Sequence, residues 1–131
     1  MARERSLLAR WLAAEDGSRI TERLSISTEE LEALAGHWPM VARPSQLPPP
    51  GDWTNWLIMA GRGFGKTRAG AEWVRGVAER TPDARIALIG ANLGEARRIM
   101  VEGKSGLLAV SRAAPPLWLP WLRRVEWDNG A

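Results

Sequence analysis

The stretch Trp56-Leu57-Ile58-Met59-Ala60-Gly61-Arg62-Gly63-Phe64-Gly65-Lys66-Thr67 decides how this chain is read. Residues 56–60 are a short continuous apolar run, the pattern of a strand buried on both faces. Residues 60–67 follow the phosphate-loop spacing of glycine, four residues, then Gly-Lys-Ser/Thr, with Ala60 in place of the first glycine. The residue types follow from the chemistry. Phosphate oxygens must be met by several backbone N–H groups at once, so the chain has to curve with little Cβ in the way, and Gly61, Gly63 and Gly65 supply that. A helix starting near Lys66 aims its first N–H groups and its dipole at the same spot. Lys66 adds a mobile point charge for the β- and γ-phosphates, and the Thr67 hydroxyl is an oxygen ligand suited to Mg²⁺. A dinucleotide fingerprint fails on spacing: started at Gly61 it needs glycine where Lys66 stands, and started at Gly63 it needs glycine where Arg68 stands.

The flanks suit a nucleotide-binding α/β unit. Residues 66–79 have helical periodicity, with Ala69, Trp73 and Val77 on one stripe. Thr81-Pro82-Asp83 reads as a turn, 85–90 (RIALIG) as a second buried strand, and Asn92 with Glu95 as the start of a helix over about 93–102. Strand, loop, helix, strand, helix requires a crossover and a parallel sheet. Residues 122–127 read as a further strand, and Asn129-Gly130 is a two-residue hairpin signal followed only by Ala131. Upstream, Leu7, Leu8, Trp11 and Leu12 mark a helix over 3–14, and Ser27 with Glu30 caps a second helix that Gly36 ends. Residues 37–52 contain five of the nine prolines and read as an extended connector. The expected organisation is a helical segment 1–36, a connector 37–52, and an α/β part 53–131.

Composition excludes several chemistries. The 131 residues contain no cysteine, so there is no disulfide, thiolate ligand or thiol nucleophile, and the one histidine, His37, cannot form a His-pair metal site. No apolar run approaches the ~20 residues of a membrane span, and no secretory leader is read, so a cytoplasmic protein is expected. The formal charge is only +3, carried by sixteen arginines and two lysines, Lys66 and Lys104, with no basic block. Arg97-Arg98 reads as a solvated helix face rather than a DNA contact. Of the eight tryptophans, Trp38, Trp53 and Trp56 flank the connector and Trp118, Trp121 and Trp127 lie among prolines. Packing explains both groups better than base stacking does.

GRGFGKTRAGAEWVR (61–75), preceded by ARPSQLPPPGDW (42–53) and WLIMA, resembles the large terminase subunit of tailed bacteriophages, prophages and gene transfer agents. ANLGEARRIM (91–100) and VEWDNGA (125–131) resemble the family's following segments. The resemblance implies an ASCE-like P-loop NTPase sheet with a helical N-terminal extension. It also implies ATP and Mg²⁺ as cofactors, and double-stranded DNA, a portal protein and a small terminase subunit as partners. It assigns Gln46 to adenine, Arg62 to the γ-phosphate, and 60–67 (Ala60, Gly61, Arg62, Gly63, Phe64, Gly65, Lys66, Thr67) to the nucleotide, with Lys66 and Arg62 as catalytic residues and Thr67 on the metal.

Phosphoryl transfer also needs a carboxylate at the end of an apolar strand and one that orients water. The run 85–90 leads into Ala91-Asn92 without an acid, and Val125-Glu126-Trp127-Asp128 alternates toward a hairpin. In the resembled family these acids, and a nuclease domain, follow the NGA segment. The chain is therefore expected to be the N-terminal, ATP-binding part of a truncated or split terminase, with an incomplete sheet and no turnover alone. Two other readings stay open: a small nucleotide-binding regulator that does not hydrolyse, and an interaction module with a vestigial loop.

Overall fold

The computed structural model describes residues 37–111 and 114–131. The expected helices over 3–14 and 27–36 lie outside the described residues. The chain divides into two compact units, Met1–Leu57 and Ile58–Ala131.

In the described part of the first unit the connector is not simply extended. Helix α1, Trp38–Val41, is followed by a 3-10 turn, Pro44–Gln46. Proline sits in the first turn of each, where its fixed φ already suits a helix and its missing N–H has no helical acceptor to lose. The expectation of an extended connector rested on proline's fixed φ and missing N–H, which exclude it from helix interiors but not from first turns. Trp53 Nε1 donates to Pro49 O at 3.0 Å. The Trp53 and Trp56 rings meet edge to face, with centroids 6.1 Å apart.

The second unit is built around helix α2, Lys66–Arg80. It starts where the glycine loop ends and stops at Thr81, before Pro82. Its buried face is Ala69, Ala71, Val74 and Ala78 together with Glu72. Trp73 is only partly buried against the core, so the stripe drawn through Ala69, Trp73 and Val77 lies about one residue off the true one. Small residues dominate the buried face because a neighbouring element packs close. Ala71 and Val74 meet Leu107 and Val110 of the short helix α4, Leu107–Val110, with Ile86, Leu88, Val125 and Trp127 around them. Arg75 Nη1 donates to Val110 O at 2.8 Å and satisfies a carbonyl at the end of α4.

Helix α3, Leu93–Glu95, begins where expected, with Asn92 Oδ1 accepting from Glu95 N–H at 2.8 Å. It continues as a π-helix, Ala96–Val101. Glu102 N–H donates back to Arg97 O at 2.9 Å, one residue further than an α-helix allows.

The ladder among the described residues is an antiparallel hairpin of β1, Leu117–Leu119, and β2, Arg124–Glu126, with Trp118 opposite Val125. Residues 122 and 123, expected in the last strand, belong to its turn instead. Leu122 N–H and Arg123 N–H donate to Leu119 O and Pro120 O, and Arg123 sits at φ +52°. Asn129-Gly130 does turn the chain. Gly130 has φ +86°, and Trp127 N–H reaches Ala131 O at 3.0 Å. Asn129 Nδ2 also donates to Ala78 O near the end of α2 at 2.8 Å.

Neither apolar run, 56–60 nor 85–90, has a ladder partner among the described residues. Along 85–90 exposure alternates. Ile86 and Leu88 face the core, while Ile89 is 82% exposed. Met59 in the first run is 85% exposed. Each run thus keeps a strand-like period of two, with no strand among the described residues to take its backbone groups.

Candidate nucleotide site

The loop 61–65 joins the first apolar run to α2. Gly63 and Gly65 stand at φ +80° and +93°, in the left-handed region that side chains with a Cβ rarely enter. Gly65 is also the N-cap of α2. Gly61 has neither a positive φ nor an atom within 4 Å of where its Cβ would stand, so of the three expected glycines two are required by the backbone here. No side chain caps α2. Its first turn therefore presents N–H groups that have no helical acceptor and carry the positive end of the helix dipole.

Lys66 folds back over this loop. Its Nζ donates to Ala60 O at 2.7 Å and to Gly61 O at 2.9 Å, although the side chain remains exposed. The ammonium is thus held over the loop by two exchangeable carbonyl contacts rather than by a carboxylate. Ala60 and Gly61 enter the site through these carbonyls. Phe64 is half-buried within the loop.

A cleft of about 500 Å³ lies beside the loop. One wall is Arg62, Gly63, Gly65, Lys66, Thr67 and Arg68, and the other is Arg98 and Ile99 of the π-helix with Gly103, Lys104 and Ser105. Five of these residues are cationic and none is acidic. Glu72, almost wholly buried, lies behind this wall and holds Arg68, with Oε1 2.7 Å from both Arg68 Nε and Arg68 Nη2. The other Glu72 oxygen lies 3.0 Å from Arg75 Nη2, at an angle that makes no hydrogen bond, so charge alone holds it. Glu102, adjacent to Gly103 in the chain, accepts from Trp118 Nε1 at 2.9 Å and from Arg97 Nε at 2.8 Å. Those two bonds, Trp118 first, hold its carboxyl below the usual carboxylate range. Glu72 and Glu102 are thus both engaged by arginine, and the cleft's surplus positive charge rests on Arg62, Lys66, Arg98 and Lys104.

The cleft brings together Arg62, Gly63, Gly65, Lys66 and Thr67 of the expected site. Gln46 belongs to the first unit, where it closes the 3-10 turn, is buried, and accepts from Arg43 N–H at 3.0 Å. The far wall, Arg98, Lys104 and Ser105, escaped the sequence reading, which took Arg98 for a solvated face and gave Lys104 no role. The available signal was alternation: Arg97 and Arg98 are adjacent and leave a helix on different sides, so one of them can pair with Glu102 while the other lines the cleft.

Among the described residues, no group of three or more His, Cys, Asp or Glu is placed to hold a metal, and no helix is long and apolar enough to cross a membrane. No curated protein and no solved structure matches the chain. The family described as "Terminase large subunit, T4likevirus-type, N-terminal" matches residues 57–131, which takes in the glycine loop, both cleft walls and the terminal hairpin. More than half of the sequence is covered, and the chain belongs to this family of terminase large-subunit N-terminal regions, with a role in DNA packaging.

Proposed function

We propose that this chain is the ATP-binding portion of a packaging motor's large subunit, and that the cleft beside residues 61–67 takes the triphosphate. One observation carries the reading. A strand-like run leads into a loop whose glycines hold left-handed geometry, the loop opens directly into a fifteen-residue helix, and the adjoining cleft has cationic side chains and no carboxylate. Together these supply N–H donors, a helix dipole and mobile positive charge at one place, as a polyphosphate requires.

The roles follow from chemistry. Backbone N–H groups of the loop and the first turn of α2 cradle phosphate oxygens. Lys66 exchanges its two carbonyl contacts for phosphate. Arg62 balances charge on the terminal phosphoryl group. The Thr67 hydroxyl, exposed at the cleft, is the oxygen donor for Mg²⁺. The magnesium ion supplies charge neutralisation of the phosphate oxygens when bound. The adenine role that the resemblance gives Gln46 would require its amide oxygen, which accepts from Arg43 N–H, to give up that bond. The fold proposed for the α/β part is the parallel P-loop NTPase sheet, in which residues 56–60 and 85–90 are strands. Their alternating exposure and the connection through α2 support it. Double-stranded DNA, a portal protein and a small terminase subunit are the partners this reading implies, in the cytoplasm of a bacterial host infected by a phage or carrying a prophage.

Calorimetric titration of the chain with Mg-ATP tests the reading, with Lys66→Ala as control. The expected result is micromolar binding that the substitution weakens by at least about a hundredfold, roughly 2.7 kcal/mol. Equal affinity in the two proteins would sink the assignment.

A further inference from the structure

We infer that Arg98 and Lys104 form a second cationic wall that binds the terminal phosphate of a nucleoside triphosphate and makes the cleft prefer triphosphate over diphosphate. The inference rests on the nucleotide reading above and adds to it the residues that would read phosphate number.

Three observations carry it. First, both side chains are exposed, line the same cleft as Lys66 and Thr67, and pair with no carboxylate among the described residues. Of the acids nearest in the chain, Glu102 is taken by Trp118 and Arg97, and Glu95, three residues before Arg98, makes no ion pair with it. Second, the backbone is built to bring them there. A Cβ at Gly103 would stand 2.6 Å from Ile99 O, and one at Gly106 would stand 2.6 Å from Val101 O, so two glycines let the turn fold tightly back against the end of the π-helix. That return sets Lys104 and Ser105 beside Arg98. Third, this wall offers cations and a hydroxyl, with Ile99 as its one apolar member and no aromatic ring. Such a surface suits phosphate oxygens and gives a base nothing to stack on. The loop and the helix start supply N–H donors on one side of the cleft, and the charge opposite them faces whatever extends beyond the phosphates they hold. The cleft, of about 500 Å³, is of small-ligand size.

The test is titration of the full chain with Mg-ATP, Mg-ADP and a short DNA duplex. It compares the wild type, the double variant Arg98→Ala/Lys104→Ala, the exchange variant Arg98→Lys/Lys104→Arg, and Lys66→Ala. Both positions are exposed, and matching circular dichroism spectra and melts verify folding. The double alanine variant is expected to lose at least about tenfold in ATP affinity and less than about threefold in ADP affinity. The exchange variant is expected to stay within about threefold of wild type for both nucleotides. An unchanged ATP-to-ADP ratio in the double variant, with Lys66→Ala still abolishing binding, overturns the inference and leaves the nucleotide reading standing. Loss of duplex binding with ATP affinity intact also overturns it and assigns the wall to DNA. A wild-type chain that binds neither nucleotide overturns both.

Discussion

Glu102 is the residue at which charge, packing and the site meet. Its carboxylate ties the end of the π-helix to β1 through Trp118 and binds Arg97. Both partners favour the charged form, so the folded pKa lies below the ordinary carboxylate value. The unfolded chain then binds a proton at higher pH than the folded one. The extra stability from this contact is fully present above the unfolded pKa and disappears as pH falls through the lower folded value. Thermal melts from about pH 7 to about pH 3, run on wild type and Glu102→Gln, check this. The wild type is expected to melt higher at neutral pH, and the gap is expected to close on acidification. A constant gap across the range would show that the carboxylate charge plays no part. Nothing in the sequence pairs Glu102 with Trp118, sixteen residues away. The contact exists only because the hairpin turns back toward the π-helix.

At the scale of elements, local chemistry predicted well and partner-dependent structure did not. The glycine loop, α2 and the Asn92 cap were readable because each is fixed within a few residues, by left-handed glycine, by a helical period and by one side-chain acceptor. The π-helix was not readable, since its wide turn follows from how 96–101 packs and returns through Gly103. That return is sensitive to a single methyl group. In Gly103→Ala the new Cβ meets the backbone oxygen of Ile99, which cannot rotate aside as a side chain would. The expected cost is about 2 kcal/mol, in the range of overpacking a tight contact, measured by urea unfolding. Gly94→Ala is the control, because its Cβ meets Asn92 Oδ1 at an ordinary 3.5 Å and helix propensity favours alanine. Its stability is expected to equal or slightly exceed that of wild type. Equal losses in both variants would mean that the loss reflects glycine flexibility rather than the Ile99 contact.

At the scale of the molecule, the described residues of the second unit have a small core and a site whose charge is one-sided. Ala71, Val74, Leu107 and Val110 are its buried centre, while Met59 and Ile89 leave one side of each apolar run uncovered. The sequence implied strands buried on both faces, because composition alone does not say whether a neighbour is present to bury them. The same distinction governs chemistry. Binding a polyphosphate calls for N–H donors and cations, which residues 61–68 and 98–105 bring together. Cleaving it calls in addition for a carboxylate that orients water, and the cleft is lined by none, with Glu72 and Glu102 each engaged by arginine. The 131-residue chain is therefore expected to bind Mg-ATP without turning it over. Steady-state phosphate release from the purified wild type is expected to equal that of Lys66→Ala, both at the background of buffer. Turnover in the wild type that Lys66→Ala abolishes would mean that an acid outside the lined cleft reaches the γ-phosphate. Single substitutions across the chain's other Asp and Glu residues would then identify it, since a residue that orients water lowers the turnover rate while leaving nucleotide affinity intact.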